Sequence, residues 1–147
     1  SENNSGGGSL VKSTYKKNIT YSIDSLVNKF FKPDYIKIDI EGLEGQLIEE
    51  SNFIRNHLPI LYVEINDRAL IKNGSSSKKL LQLLKNYGYS FFRNVGYRNL
   101  NNDLFLTCYM EDFNTFSLSN IFDVLCVSNN SVVFEYLLKS SIKINKK

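Results

Sequence analysis

Carboxylates close two apolar segments of the chain. Asp39 and Glu41 stand at the end of "DYIKIDIEG", residues 34–42, and Glu64 stands near the end of "ILYVEI", residues 60–65. Ile36, Ile38 and Ile40 alternate with Lys37, Asp39 and Glu41, the period of a strand whose two sides differ. Charged side chains are seldom buried without partners, so this face calls for compensation or for use. In the next apolar segment Ile60, Tyr62 and Glu64 share one side. If the two strands are neighbours, Lys37 can lie between Asp39 and Glu64, and one ammonium compensates two carboxylates. The bland alternative is an ion pair that fills space, with Asp39 or Glu41 capping the next helix. Such a pair stabilises little, because desolvation can exceed the Coulomb gain. Carboxylates at a cleft can orient an acceptor group and take its proton, directly or through a metal ion.

The elements that must position these residues follow from periodicity and punctuation. Ile19, Tyr21 and Ile23 alternate with Thr20 and Ser22, which predicts a half-buried strand. Asp24 then suits the N-cap of a short helix with Leu26, Val27, Phe30 and Phe31 on one side, ended by Pro33. A strand at 35–39 follows, with Gly42 turning the chain out of it. A helix over 43–50 carries Leu43, Leu47 and Ile48, and a further helical turn carries Phe53, Ile54 and Leu58. The run at 60–65 reads as a strand buried on both faces. "KKLLQLLKNYGY" is an amphipathic helix stopped by Gly88. "YSFF", "LFLTCYM" and "IFDVLCV" read as three more strands, and 131–138 as a weak helix. Strands separated by helices and then strands alone predict an α/β fold, parallel in the middle and antiparallel at the end. Ligands of such sheets bind outside the carboxyl ends of the strands, where Asp39 and Glu64 both lie.

Composition narrows the function classes. The 147 residues suit one domain, and 42% apolar residues suffice for a core. The net charge of +3 offers no electrostatic case for nucleic acid. No apolar run approaches the ~20 residues of a membrane span, and the polar N-terminus carries no signal-peptide pattern, so a cytoplasmic location is expected. Cys108 and Cys126 lie in apolar runs and read as buried reduced thiols. His57 reads as solvated or paired with a helix end. Phe30–Phe31 and Phe91–Phe92 read as core.

The stretch "YIKIDIEGLEGQLIEES", then "LPILYVEIN", then "LLQLLKNYGYSFF" resembles the FkbM-type family of S-adenosylmethionine-dependent methyltransferases. Ile36, Lys37, Ile38, Asp39, Glu41, Gly42 and Glu44 match its I-K-I-D-x-E-G-x-E stretch position by position. Val63 and Glu64 match its strand ending in Val-Glu, and Gly88 and Tyr89 match its helix-ending Gly-Tyr. "SGGGSL", "YSIDSL" and "IFDVLCV" look like further family segments, so the likeness runs in order over 5–128. It implies a Rossmann-like methyltransferase sheet, mostly parallel with an antiparallel terminal hairpin. It also implies methyl transfer from S-adenosylmethionine to a hydroxyl of a small-molecule, sugar or glycan acceptor. On that resemblance Asp39 orients the acceptor and takes its proton, Lys37 orients the carboxylates, and Glu64 holds the acceptor. A divalent metal ion on Asp39 and Glu64 is an alternative. Glu41, also a helix-dipole partner, and Asn66 are assigned to acceptor binding.

One departure matters. The family's glycine-rich cofactor turn follows its first strand, and "SGGGS" has no apolar strand before it. The chain is therefore expected to be the C-terminal portion of one domain, lacking the N-terminal strands, with the cofactor-binding residues upstream of Ser1. Within it, 1–18 reads as loop, 19–128 as α/β core and 129–147 as a helical or basic tail. Two other readings stand beside this one: a non-catalytic truncated relative serving as an interaction module, and a methyltransferase acting on RNA or protein.

Overall fold

A computed structural model describes residues 20–95, 107–113 and 121–141. Helices α1 (Ile23–Lys29), α2 (Glu44–Glu50), α3 (Asn52–His57), α4 (Asp67–Lys72), α5 (Ser77–Tyr87) and α6 (Val132–Ser140) accompany five strands. These are β1 (Tyr35–Ile38), β2 (Ile60–Ile65), β3 (Tyr89–Asn94), β4 (Thr107–Tyr109) and β5 (Phe122–Ser128). They form a mixed sheet in the order β1-β2-β5-β3-β4.

Strand directions follow from the pairings. β1 and β2 are parallel neighbours, as the helical crossover between them requires. β5 is antiparallel to β2 and to β3, so β1, β2 and β3 run one way. β4 is antiparallel to β3 and runs with β5. The strands at the end of the chain are antiparallel to their neighbours, and the last one, β5, enters between β2 and β3, where both its edges are satisfied. Among the described strands three pairings are antiparallel and one is parallel, so the expectation of a mostly parallel sheet is corrected.

The two faces of the sheet are unequal. One presents Ile38, Leu61, Val63, Ile65, Val124, Cys126 and Phe91, buried in one cluster with Ile48 of α2, Ile54 of α3, Leu70 of α4 and Leu80, Leu81 and Leu84 of α5. On the other face α6 sets Phe134 against Phe92 and Tyr109. Over β1 and β2 that second face is more open: Tyr35 is 53% exposed, and Ile60, Tyr62 and Glu64 are half-buried. β2 is thus buried on one side and half-buried on the other, not on both as its apolar run suggested.

Local signals decide most helix ends. Ser76 accepts from Lys79 N–H at the start of α5, and Gly88 closes it at φ +100°. That left-handed position favours glycine. Tyr89 then donates to the carbonyl of Pro59 at 2.7 Å, tying β3 to the start of β2. α4 had no counterpart in the sequence reading: it is one short piece of helix, started by the Asn66 cap.

The N-terminal stretch departs from expectation. Residues 20–22 are not strand, and Ile19 lies outside the described residues. Ser22, rather than Asp24, caps α1. Asp24 reaches instead to Phe53 N–H at the start of α3, at 3.1 Å. α1 buries no residue, and Phe30 and Phe31 are 65% and 72% exposed rather than core. Phe91 and Phe92 are buried, as expected, and both cysteines are buried. Among the described residues no helix is long and apolar enough to cross a membrane.

Candidate active site at the carboxyl end of the sheet

Register places the candidate residues. Lys37 is paired with Tyr62 across β1 and β2, and residues so paired point to one face. Asp39 follows two residues later, and Lys37 Nζ donates to Asp39 Oδ2 at 3.1 Å. Glu64 lies two residues beyond Tyr62, on the same face. The shared phase and the neighbouring strands are therefore present. Burial is not: the Lys37 and Asp39 side chains are 58% and 36% exposed. β1 has one open face, so the charges face solvent and need no burial compensation. The ion pair is a weak contributor to stability in such a setting.

Glu64 meets a partner that the sequence reading missed. In the β2–β5 pairing its Cα neighbour is Asp123. Because β5 runs opposite to β1, β2 and β3, the start of β5 lies at their carboxyl ends. Tyr62 donates to Asp123 Oδ2 at 3.0 Å and accepts from Asn94 Nδ2 at 3.1 Å. Burial raises the Tyr62 phenol above its usual range; the Asn94 hydrogen bond opposes this, and the Asp123 charge adds to it. A signal existed in the sequence: Asp123 interrupts "IFDVLCV" as Asp39 interrupts "YIKIDI". What was missing was the pairing that makes it a neighbour of Glu64.

The turn after β1 is built with care. Glu41 has φ 57° and Gly42 φ +100°, two left-handed residues in succession. Only glycine adopts this region freely. A Cβ on Gly42 would lie 2.4 Å from the carbonyl oxygen of Ala69, so α4 packs directly on its Cα. Asn73 Nδ2 donates to that same oxygen at 3.0 Å and to the Glu41 carbonyl at 3.5 Å. The Glu41 side chain is left exposed beside Asp39 in sequence. Asn66, assigned to acceptor binding, uses Oδ1 to cap α4 by accepting from Ala69 N–H at 3.2 Å. His57 sits exposed at the end of α3, stacked on Phe53 at 4.7 Å between centroids and 3.3 Å from Lys32 Nζ.

The result is an open face carrying Lys37, Asp39, Tyr62, Glu64, Asn94 and Asp123 at one end of the sheet. Such a surface can hold a hydroxylated molecule by hydrogen bonds and can accept its proton. Among the described residues no group of three or more His, Cys, Asp or Glu side chains is arranged to hold a metal ion.

The family model described as the methyltransferase FkbM domain matches residues 1–91. No curated protein matches the chain, and no solved structure does.

Proposed function

The chain belongs to the FkbM methyltransferase family, and from that membership we propose that it is the acceptor-side part of an S-adenosylmethionine-dependent O-methyltransferase. The proposed acceptor is a hydroxyl of a sugar, glycan or secondary metabolite. One observation carries the reading. The family match covers β1 and β2, and Asp39, one residue past β1, and Glu64, the last residue but one of β2, lie at the same end of the sheet. The sheet order supports a Rossmann-like arrangement, in which that end is the binding end.

The glycines near the site offer no cradle for the cofactor that the family implies. The amides of Ile40 and Gly42 are already taken by Glu44. Gly45 faces the Ser75 side chain, and Gly88 closes a helix. The proposal therefore concerns what these residues do to the acceptor. Asp39 accepts the hydrogen of the acceptor hydroxyl and takes its proton as oxygen becomes a nucleophile. Lys37 holds the Asp39 carboxylate at 3.1 Å and fixes its direction. Glu64 and the exposed Glu41 hold neighbouring hydroxyls, and Tyr62 stiffens the floor beneath them through Asp123 and Asn94.

The test is Asp39→Asn in the full-length protein, assayed with methyl-labelled S-adenosylmethionine and a panel of saccharide and metabolite acceptors. Loss of general base catalysis is worth on the order of 10²-fold or more. Stability should change by less than about 1 kcal/mol, because the ion pair is exposed. Near-wild-type transfer by the variant would return Asp39 to a structural role.

A further inference from the structure

Glu44 is a carboxylate that the proposed chemistry does not use, yet it is 1% exposed. Its Oε1 accepts from Ile40 N–H at 3.0 Å and from Gly42 N–H at 3.2 Å. Its Oε2 is buried and has no hydrogen-bond partner among the described residues. Burying an acid with one oxygen unsatisfied costs free energy that an apolar residue would not.

Helix α2 shows what this arrangement replaces. Ser22, Ser51, Asn66, Ser76 and Ser131 each cap their helix with a side-chain oxygen. Leu43 stands at the same position of α2 and makes no cap bond. A serine or aspartate there would be the usual solution. Here the first acid of the helix turns back and binds the amides of the preceding loop instead. Charge-assisted hydrogen bonds of this kind are the strong ones. They act on the segment that holds Glu41 in a left-handed conformation, which a non-glycine residue keeps only when its surroundings over-determine it. From the opposite side, Ala69 and Asn73 close on Gly42 and the Glu41 carbonyl.

We propose that Glu44 is a positioning residue: it fixes the left-handed turn at 41–42 and thereby the placement of Glu41 within it and of Asp39 just before it. The functional part of this inference rests on the acceptor-side reading above.

Three variants of the complete protein test it. Glu44→Ala removes both acceptors, Glu44→Gln keeps one carbonyl oxygen for them, and Ile54→Val in the buried core of α3 supplies a stability control. Glu44→Ala should speed hydrogen exchange at the Ile40 and Gly42 amides by about 10-fold or more, the equivalent of ~1.4 kcal/mol. The Val63 and Cys126 amides, inside the sheet, should exchange as in the control. The Glu41 HN–Hα coupling should move away from its left-handed value. The kcat for methyl transfer should fall by about 10-fold or more with KM for S-adenosylmethionine unchanged, and Glu44→Gln should recover both exchange and kcat. Unchanged exchange and coupling in Glu44→Ala would overturn the proposal. So would faster exchange with kcat no lower than in Ile54→Val, which would leave Glu44 a merely structural cap. An active Asp39→Asn variant would instead remove the acceptor-side reading, and the exchange and coupling would then decide alone whether Glu44 sets the turn.

Discussion

Gly42→Ala tests the packing of the motif turn against α4, and a second glycine supplies its control. Gly42 and Gly88 both have φ +100°, so an alanine at either meets the same conformational penalty. Forcing an L-residue into the left-handed region costs roughly 1–2 kcal/mol. The surroundings differ. A Cβ at Gly88 would meet only Leu58 Cδ1 at 3.9 Å, an ordinary contact. A Cβ at Gly42 would meet the Ala69 carbonyl oxygen and carbon at 2.4 and 2.5 Å and Asn73 Nδ2 at 2.7 Å. Two of these atoms are backbone of α4 and cannot move without shifting that helix. Overpacking of this kind adds about 1–3 kcal/mol. Gly42→Ala should therefore cost about 2–5 kcal/mol against about 1–2 for Gly88→Ala. For a chain of this size the difference appears as roughly 2–12 °C in Tm. Equilibrium urea unfolding of both variants gives the comparison directly, with Tm as a check. If Gly42→Ala proved no more destabilising than Gly88→Ala, the close approach of the turn to α4 would be refuted. The clamp on Glu41 would go with it.

Other expectations follow from burial. Tyr89 is 1% exposed and its phenol is pushed well up by burial, with the Cys126 thiol adding to the shift; Tyr62 is raised in the same direction. The folded chain thus holds these protons where the unfolded chain releases them, so their stabilisation is complete below about pH 10 and is lost as pH rises above it. Urea unfolding across that range should show the decline, and Tyr89→Phe should flatten it while costing about 1–3 kcal/mol at neutral pH for the orphaned Pro59 carbonyl. An alkaline limb identical in the variant would assign the decline to other groups. Burial raises the Cys126 thiol far above its usual range, and Cys108 is 1% exposed. Neither should be alkylated by iodoacetamide until the chain unfolds, and rapid labelling under native conditions would contradict the burial of β4 and β5.

Local chemistry was legible in the sequence wherever one strand or one turn decided it. Alternation around Lys37 and Asp39 assigned β1 and the phase of its side chains. Gly42 and Gly88 marked turns because a left-handed backbone excludes most other residues. The parallel pairing of β1 with β2 followed from the helices between them. Four features needed the folded chain. The exposure of Lys37 depends on what covers a sheet face, and alternation cannot tell a covered face from an open one. Phe30 and Phe31 read as core by type, yet α1 has no burying neighbour for them among the described residues. Glu44 stood in the sequence only as a matched position of the family stretch, and only the reversal at 41–42 brings two amides to its carboxylate. Asp123 lies 59 residues beyond Glu64 in the chain and reaches it because β5 enters between β2 and β3. Local backbone preference acts over a few residues and is written in residue type. The neighbour of a strand is chosen by whichever segment best satisfies its hydrogen bonds and buries its apolar side, and that competition is settled only among all the strands at once.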